Sequence, residues 1–162
     1  MLEDEAVADI IHEFVVNVEP GRVFQSFATQ SGLEKWWTKT STGETREGGN
    51  FRLYFEPEFD WQAKVTRYLP PSAFELEITR SHVDWIGTRV GGDLSPQGKN
   101  TTRIRFHHTG WSDKNEHWRM SCFCWAMYLR ILRRNLEYGE FVEYERRLEV
   151  QPASSLRPRD AP

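Results

Sequence analysis

Three sets of residues have the types and spacing for chemistry. Cys122 and Cys124 form a C-x-C pair, which invites a metal or redox reading. They fall in a helical stretch, where positions two apart point about 200° apart around the axis, so they cannot grip one ion or close a disulfide there. No second cysteine pair completes a zinc site, and small buried core residues are the expected role. His107 and His108 are neighbours in an alternating run, so they must face opposite ways. His108 shares parity with Ile104 and Phe106, which puts it on the inner face near the helix start. A structural hydrogen bond is its expected role there, and a pocket-edge hydrogen bond, with titration near neutral pH, is the alternative. His12 and His117 show no helpful partner, and no two-histidine-plus-carboxylate spacing stands out. Glu75 and Glu77 share a face, as paired acid–base groups would. That face lies opposite Phe74, Leu76 and Ile78, so a solvated outer surface with cross-strand ion pairs is expected, as for Arg103 and Arg105.

Gly48-Gly49 lacks the lysine and Ser/Thr of a phosphate loop and precedes a strand, so it reads as a turn. No G-x-S-x-G elbow or nucleophile–base pair is present. No catalytic set, metal or cofactor is therefore expected. If a reaction is catalysed, His108 is the inner-face group that parity supports.

The elements that position these residues follow from periodicity. From Asp113 to Gly139, Trp118, Cys122, Trp125, Leu129, Leu132 and Leu136 recur at three- and four-residue spacing, one face of an α-helix roughly 36 Å long. Asp113 with Glu116 reads as a capping box, and Gly139 as the left-handed residue after the last turn. Before it, residues 10–18 read as a strand. Pro20 opens a short helix carrying Val23, Phe24, Phe27 and Ala28, which Gly32 interrupts. Leu33, Trp36 and Trp37 suggest a second helical piece with an exposed or pocket-facing aromatic pair.

Strands then follow. Phe51, Leu53 and Phe55 alternate with polar residues, as do Trp61, Ala63 and Val65, then Phe74, Leu76 and Ile78, and later Ile104 and Phe106. Pro70-Pro71-Ser72 is a turn. Residues 85–94 read as a weaker strand in which Gly87, Gly91 and Gly92 mark a bulge or bend, and 95–100 as a polar loop. The expectation is an α+β fold: a curved antiparallel sheet of about six strands packed on the long C-terminal helix, with two short helices after the first strand. Residues 1–9 read as an arm, 10–148 as the domain and 149–162 as a disordered tail.

At 162 residues the chain can bury a core without staples. A formal charge of −3 supplies no basic field, which argues against nucleic-acid binding. No apolar run approaches about 18 residues, so no membrane span is expected. The acidic N-terminus lacks the pattern of a signal peptide and there are two cysteines, so a reducing cytoplasm is the expected compartment.

Several segments together resemble the activator-of-heat-shock-protein-90-ATPase-homologue-like family of the START-like, polyketide-cyclase-like (SRPBCC) superfamily. They are Pro20-x-x-Val23-Phe24, Leu33-x-x-Trp36-Trp37, Gly48-Gly49-x-Phe51, Trp85-x-Gly87-Thr88 and His108-Thr109-Gly110-Trp111. Cys122-x-Cys124-Trp125-x-x-Tyr128-Leu129-x-x-Leu132 and Gly139-Glu140 complete the set. The resemblance spans about residues 10 to 148. It implies a helix-grip fold, with the sheet around the C-terminal helix and a cavity between them. Such cavities commonly hold apolar or amphipathic small molecules. A few relatives are cyclases, dehydratases or hydrolases, without a shared catalytic set. Eukaryotic chaperone activators of the family carry a further N-terminal domain, which is not expected in this chain.

Seven tryptophans and ten phenylalanines are many for this length, and can fill a core or line a cavity. The functional expectation is a small hydrophobic or amphipathic molecule bound between sheet and helix. Its expected lining is Trp36, Trp37, Phe51, Phe55, Trp61, Trp85, His108, Trp118, Cys122 and Trp125, with His108 and Tyr128 orienting the guest. The alternatives are an enzyme of the cyclase, dehydratase or hydrolase kind, and a chaperone partner engaged through the outer face or the Arg130, Arg133, Arg134 stripe. A homodimer through an exposed edge strand is a further arrangement the pattern allows.

Overall fold

The structure, a computed structural model, describes residues 8–149. The expected arm and tail therefore fall almost wholly outside the described residues. The elements run β1 (Ala8–Val16), α1 (Pro20–Ala28), α2 (Gln30–Glu34), β2 (Thr40–Gly43), β3 (Asn50–Glu56), β4 (Phe59–Leu69), β5 (Ala73–Arg80), β6 (Arg89–Gly98), β7 (Thr101–Trp111) and α3 (Glu116–Tyr138). Two 3₁₀ turns, Val83–Trp85 and Tyr144–Arg146, complete the set. The strands form one antiparallel sheet in the order β1-β7-β6-β5-β4-β3-β2. Together with α3 this is the helix-grip architecture.

Alternation places the core. Phe51, Leu53 and Phe55 on β3, Ala63 and Val65 on β4, and Ile104 and Phe106 on β7 are buried on one face. Trp125, Leu129, Leu132 and Leu136 of α3 are buried against the body. The helix starts later than the sequence suggests. Asn115, not Asp113, is the N-cap: its Oδ1 accepts the Trp118 N–H at 2.9 Å. Either side chain can accept such a bond, and helical backbone begins only at Glu116. Gly139 ends the helix as expected, with φ +67° and its N–H on the Asn135 carbonyl at 2.9 Å.

Glu19 caps α1 by accepting the N–H groups of Gly21 and Arg22, both at 2.9 Å. The break between α1 and α2 comes at Thr29, not Gly32. Thr29 Oγ1 donates to the Gln25 carbonyl and accepts the Gly32 N–H, so it closes one helix and caps the next. Gly32 instead permits close approach, since a Cβ there would sit 2.0 Å from the Gln25 carbonyl oxygen. Trp36 and Trp37 follow α2 and are buried rather than exposed.

Other expectations need correction. Trp85 lies in the 3₁₀ turn, not in a strand, and β6 begins at Arg89. Residues 95–98 continue β6, so the polar loop shrinks to a tight turn at Lys99-Asn100. Gly91 and Gly92 make no bulge. They stand in regular register, Gly91 between Glu75 and His107, and Gly92 between Phe74 and Phe106. Their role is close packing: a Cβ on Gly91 would meet the Phe74 carbonyl at 2.2 Å, and one on Gly92 would touch the Phe27 ring at 3.3 Å. β2, which lacks apolar alternation, adds a seventh strand to the expected six at the edge beside β3.

After α3 the chain is pinned by Arg147, which is 1% exposed. Its guanidinium donates to the carbonyls of Val142 and Thr38, both at 3.0 Å, and of Glu34. Burial lowers its pKa from the ordinary arginine value, but the fork of donors has three acceptors. This ties the segment after α3 to Glu34 of α2 and to Thr38, and Tyr144 meets Phe55 of β3 at 6.3 Å.

Candidate functional site

Five aromatic side chains form a closed ring. Ring-centroid distances run 5.7 Å from Trp37 to Phe55, 4.9 Å on to Trp61, 4.7 Å to Trp85, 5.7 Å to Trp125 and 5.1 Å back to Trp37. Each comes from a different element: the segment after α2, β3, β4, the 3₁₀ turn and α3. All five line one cavity of about 300 Å³. Phe59, Met120, Tyr128, Tyr144 and Leu148 extend its walls, and His82, His117, Ser121 and Cys124 add polar groups to the lining. Phe59, Met120 and Leu148 are exposed as well, so apolar side chains reach from the cavity to the surface.

The other five expected lining residues lie elsewhere. Trp36 is buried among Phe27, Trp37 and Trp125, and its indole N–H donates to the Ser26 carbonyl at 2.9 Å. Phe51 packs edge-on against Phe74. Trp118 turns toward β1 and donates to the Ala8 carbonyl at 3.2 Å. Cys122 packs against the core, whereas Cys124, the other half of the C-x-C pair, lines the cavity. Burial pushes the Cys124 thiol up, so it stays protonated near neutrality.

His108 is sealed behind the ring. It has no exposed surface and every polar atom is engaged. Trp125 donates its indole N–H to Nδ1 at 3.0 Å, and Nε2 lies 2.8 Å from Thr88 Oγ1. An indole can only donate, so Nδ1 is the acceptor and Nε2 carries the proton. Thr88 passes its own hydroxyl proton to the Trp85 carbonyl at 2.6 Å. Burial, with lesser contributions from the His107 and His117 charges, pushes the His108 pKa down to about 3. The imidazole makes the structural hydrogen bonds expected of it, and the alternative of a pocket-edge group titrating near neutral pH does not hold.

His107 faces outward yet is also buried. Its Nε2 lies 2.8 Å from Glu75 Oε2, and Glu75 Oε1 accepts the Thr66 hydroxyl at 2.8 Å. Burial pushes the Glu75 carboxyl up, but the His107 and Thr66 hydrogen bonds together outweigh it and hold the carboxyl below its usual range. Glu75 is thus not solvated as expected. Gly91 lies between the two on the neighbouring strand, and the missing side chain lets them meet across it. Elsewhere the outer face carries cross-strand pairs such as Arg52–Asp60 at 2.8 Å and Arg103–Glu13 at 2.7 Å. Arg133 and Arg134 pair with Glu137 and Glu140. His12 Nε2 is buried without a hydrogen-bond partner among the described residues.

The cavity mouth holds a cluster that sequence spacing did not reveal. His117 Nδ1 lies 2.9 Å and His82 Nδ1 3.6 Å from Asp84 Oδ2, and the two imidazole rings meet edge-to-face at 4.5 Å. The His117 hydrogen bond, opposed by desolvation and helped by His82, lowers the Asp84 pKa. Two segments separated by more than thirty positions supply the three side chains, so no local spacing announces them. His117 therefore does have a partner, contrary to expectation.

Across residues 17–137 the sequence matches the profile of the family described as Activator of Hsp90 ATPase homolog 1-like protein. The chain belongs to this family. The family's fold recurs in solved structures. The solution structure of the Aha1 dimer from Colwellia psychrerythraea is 26% identical, with a TM-score of 0.72, over 82% of this chain and 98% of that one. MLL2253 from Mesorhizobium loti is similar in fold at 14% identity and a TM-score of 0.71, over 82% and 99% of the two chains. CalU16 from Micromonospora echinospora is similar at 20% identity and 0.68, over 87% and 81%. No curated protein matches the chain. Family and fold together place it in the START-like, SRPBCC superfamily. Among the described residues no helix is long and apolar enough to cross a membrane.

Proposed function

We propose that this family member binds a small hydrophobic or amphipathic molecule in the cavity bounded by the aromatic ring. The observation that carries the reading is that five rings from five separate segments converge on one space. Such convergence leaves a wall with much apolar surface and few polar atoms, the usual make-up of a small-molecule site. Its volume stands near the lower end of the roughly 300–1,000 Å³ typical of such sites, which favours a compact guest. Tyr128, Ser121 and the histidines at the mouth are the groups available to orient its polar end. The protein is taken to act in the cytoplasm as a binder rather than through a catalytic set.

The test is native mass spectrometry of the purified protein, with tryptophan fluorescence against a panel of lipids and aromatic metabolites. One bound molecule per chain, with altered fluorescence, supports the proposal. No binder tighter than high micromolar would remove it.

The dimeric relative supports a homodimer as a second feature, built through an edge strand, β1 or β2. Sedimentation at micromolar concentration separates monomer from dimer. The family description includes activation of a chaperone ATPase, and a measured ATPase rate unchanged by this chain would exclude that role.

A further inference from the structure

We propose that His82, Asp84 and His117 bind a divalent transition-metal ion of the zinc class at the mouth of the aromatic cavity. The site goes beyond the binding reading above and does not need it.

The three residues have the right chemistry. Two imidazoles and one carboxylate form a three-ligand set that zinc accepts while keeping a further position for water or another donor. They also have the right spacing. Donor atoms about 2.0–2.1 Å from a tetrahedral ion lie about 3.3 Å from one another. The observed separations from Asp84 Oδ2 are 2.9 Å to His117 Nδ1 and 3.6 Å to His82 Nδ1, on either side of that value. One ligand atom from each of the three lies within 4.8 Å of those from the other two. The two distances from Asp84 Oδ2 each depart from that value by tenths of an ångström, and closing the set brings the two imidazoles in around the ion.

The surroundings hold the ligands in place. Asp84 belongs to the 3₁₀ turn that His82 caps, and His117 stands in the first turn of α3. Asn115 Nδ2 donates to Asp84 Oδ2 at 3.4 Å and so orients the carboxylate from outside. Trp85 stacks on the His117 ring at 6.3 Å and 18°, and Trp111 meets it edge-on at 5.5 Å. The cluster stays open to ions, because the His82 side chain is about half exposed. In the metal-free state His117 bonds Asp84, and the Asp84 N–H donates to His82 Nδ1 at 3.2 Å. Ligation through Nδ1 exchanges those bonds for bonds to the ion, with each neutral imidazole carrying its N–H on Nε2.

His82 and His117 both line the cavity, so a bound ion stands at its rim. If the cavity takes a guest as proposed above, its polar end would be a metal-binding donor such as a carboxylate, thiol or phenol. This extension rests on that reading; the ion site itself does not.

The experiment uses the full chain, stripped with a chelator and titrated at neutral pH with Zn²⁺ by calorimetry and with Co²⁺ by visible absorption, no guest present. The expected result is one ion per chain and a Co²⁺ d–d band. His82→Ala, Asp84→Asn and His117→Ala should each weaken binding at least about tenfold, with circular dichroism unchanged. A Cys122→Ser/Cys124→Ser double variant should bind as the wild type does. Absence of binding overturns the proposal. So does wild-type affinity in the exposed-residue variant His82→Ala, or loss of binding in the cysteine variant. Failure of the guest panel alone leaves the ion site standing, and failure of the ion titration leaves the guest reading standing.

Discussion

The indole N–H of Trp125 donates to Nδ1 of His108 across 3.0 Å, and this one bond joins the central turns of α3 to the inner face of β7. It fixes the imidazole as the neutral Nε2–H tautomer, whose proton serves Thr88 and, through it, the 3₁₀ turn that carries Trp85. Two members of the aromatic ring are therefore held by one buried histidine. Removing the indole while keeping an aromatic, as in Trp125→Phe, should cost roughly 1–3 kcal/mol from the unpartnered imidazole nitrogen. Trp125→Ala should cost ~3–5 kcal/mol because a cavity is added. Chemical denaturation of the two variants checks the order; equal costs would mean that packing alone matters there.

The same histidine sets an acid limit. Its folded pKa is pushed down to about 3, against about 6.5 when unfolded. The unfolded state therefore binds the extra proton between these values, and stability contributed by neutral His108 is present above pH 6.5 and lost as pH falls toward 3. The slope from this one group approaches about 1.36 kcal/mol per pH unit. Glu75, with its lowered folded pKa, adds a loss in the same direction at lower pH, below the ordinary carboxylate value. Between pH 5 and 6 the stability of His108→Gln should change with pH by about one proton less than wild type. Identical slopes would show that His108 is accessible to protons in the folded state.

Arg147→Ala should lower stability by roughly 2–4 kcal/mol, since three backbone carbonyls lose a charged donor together. Arg147→Lys should recover only part of this, because an ammonium cannot reproduce the planar fork. Both variants should also weaken guest binding, because Tyr144 and Leu148 flank Arg147 and line the cavity. A thermal-unfolding series on the three proteins measures the first effect. Full rescue by lysine would contradict the account.

Gly91→Ala should destabilise by about 1–3 kcal/mol by overpacking, since the new methyl would press on the Phe74 carbonyl and on Glu75. The His107–Glu75 contact should loosen with it. Gly92→Ala meets only the edge of the Phe27 ring at 3.3 Å and should cost less. Denaturant midpoints rank the two, and a larger loss at Gly92 would refute the packing assignment.

Much of this architecture was legible in the sequence because alternation and helical period report burial directly. Phe51-x-Leu53-x-Phe55 and the Trp118-to-Leu136 face are such cases. Trp37, Phe55, Trp61, Trp85 and Trp125 were readable as cavity candidates, but not their closure into a ring, which depends on five elements meeting in space. β2 leaves no sequence signal because Thr-Ser-Thr-Gly has no apolar alternation. Trp85 was misplaced because the Gly87 turn, with φ +83°, separates it from β6. Glu75 read as solvated because parity gives the face, whereas its burial comes from a glycine on the next strand. The His82–Asp84–His117 cluster and the Arg147 staple join distant segments and leave no local period to read.

If the aromatic ring borders a space that takes a guest, filling that space abolishes binding. Cys124 lines the cavity and is half-buried on α3, so Cys124→Phe should occupy the space without breaking the core. Binding of an anilinonaphthalene sulfonate probe would be measured by fluorescence titration for wild type and variant, with thermal unfolding as the fold control. One probe per wild-type chain is expected, with at least about tenfold weaker binding in a stably folded Cys124→Phe. Equal binding by the two proteins, or none by the wild type, would mean that the cavity takes no guest.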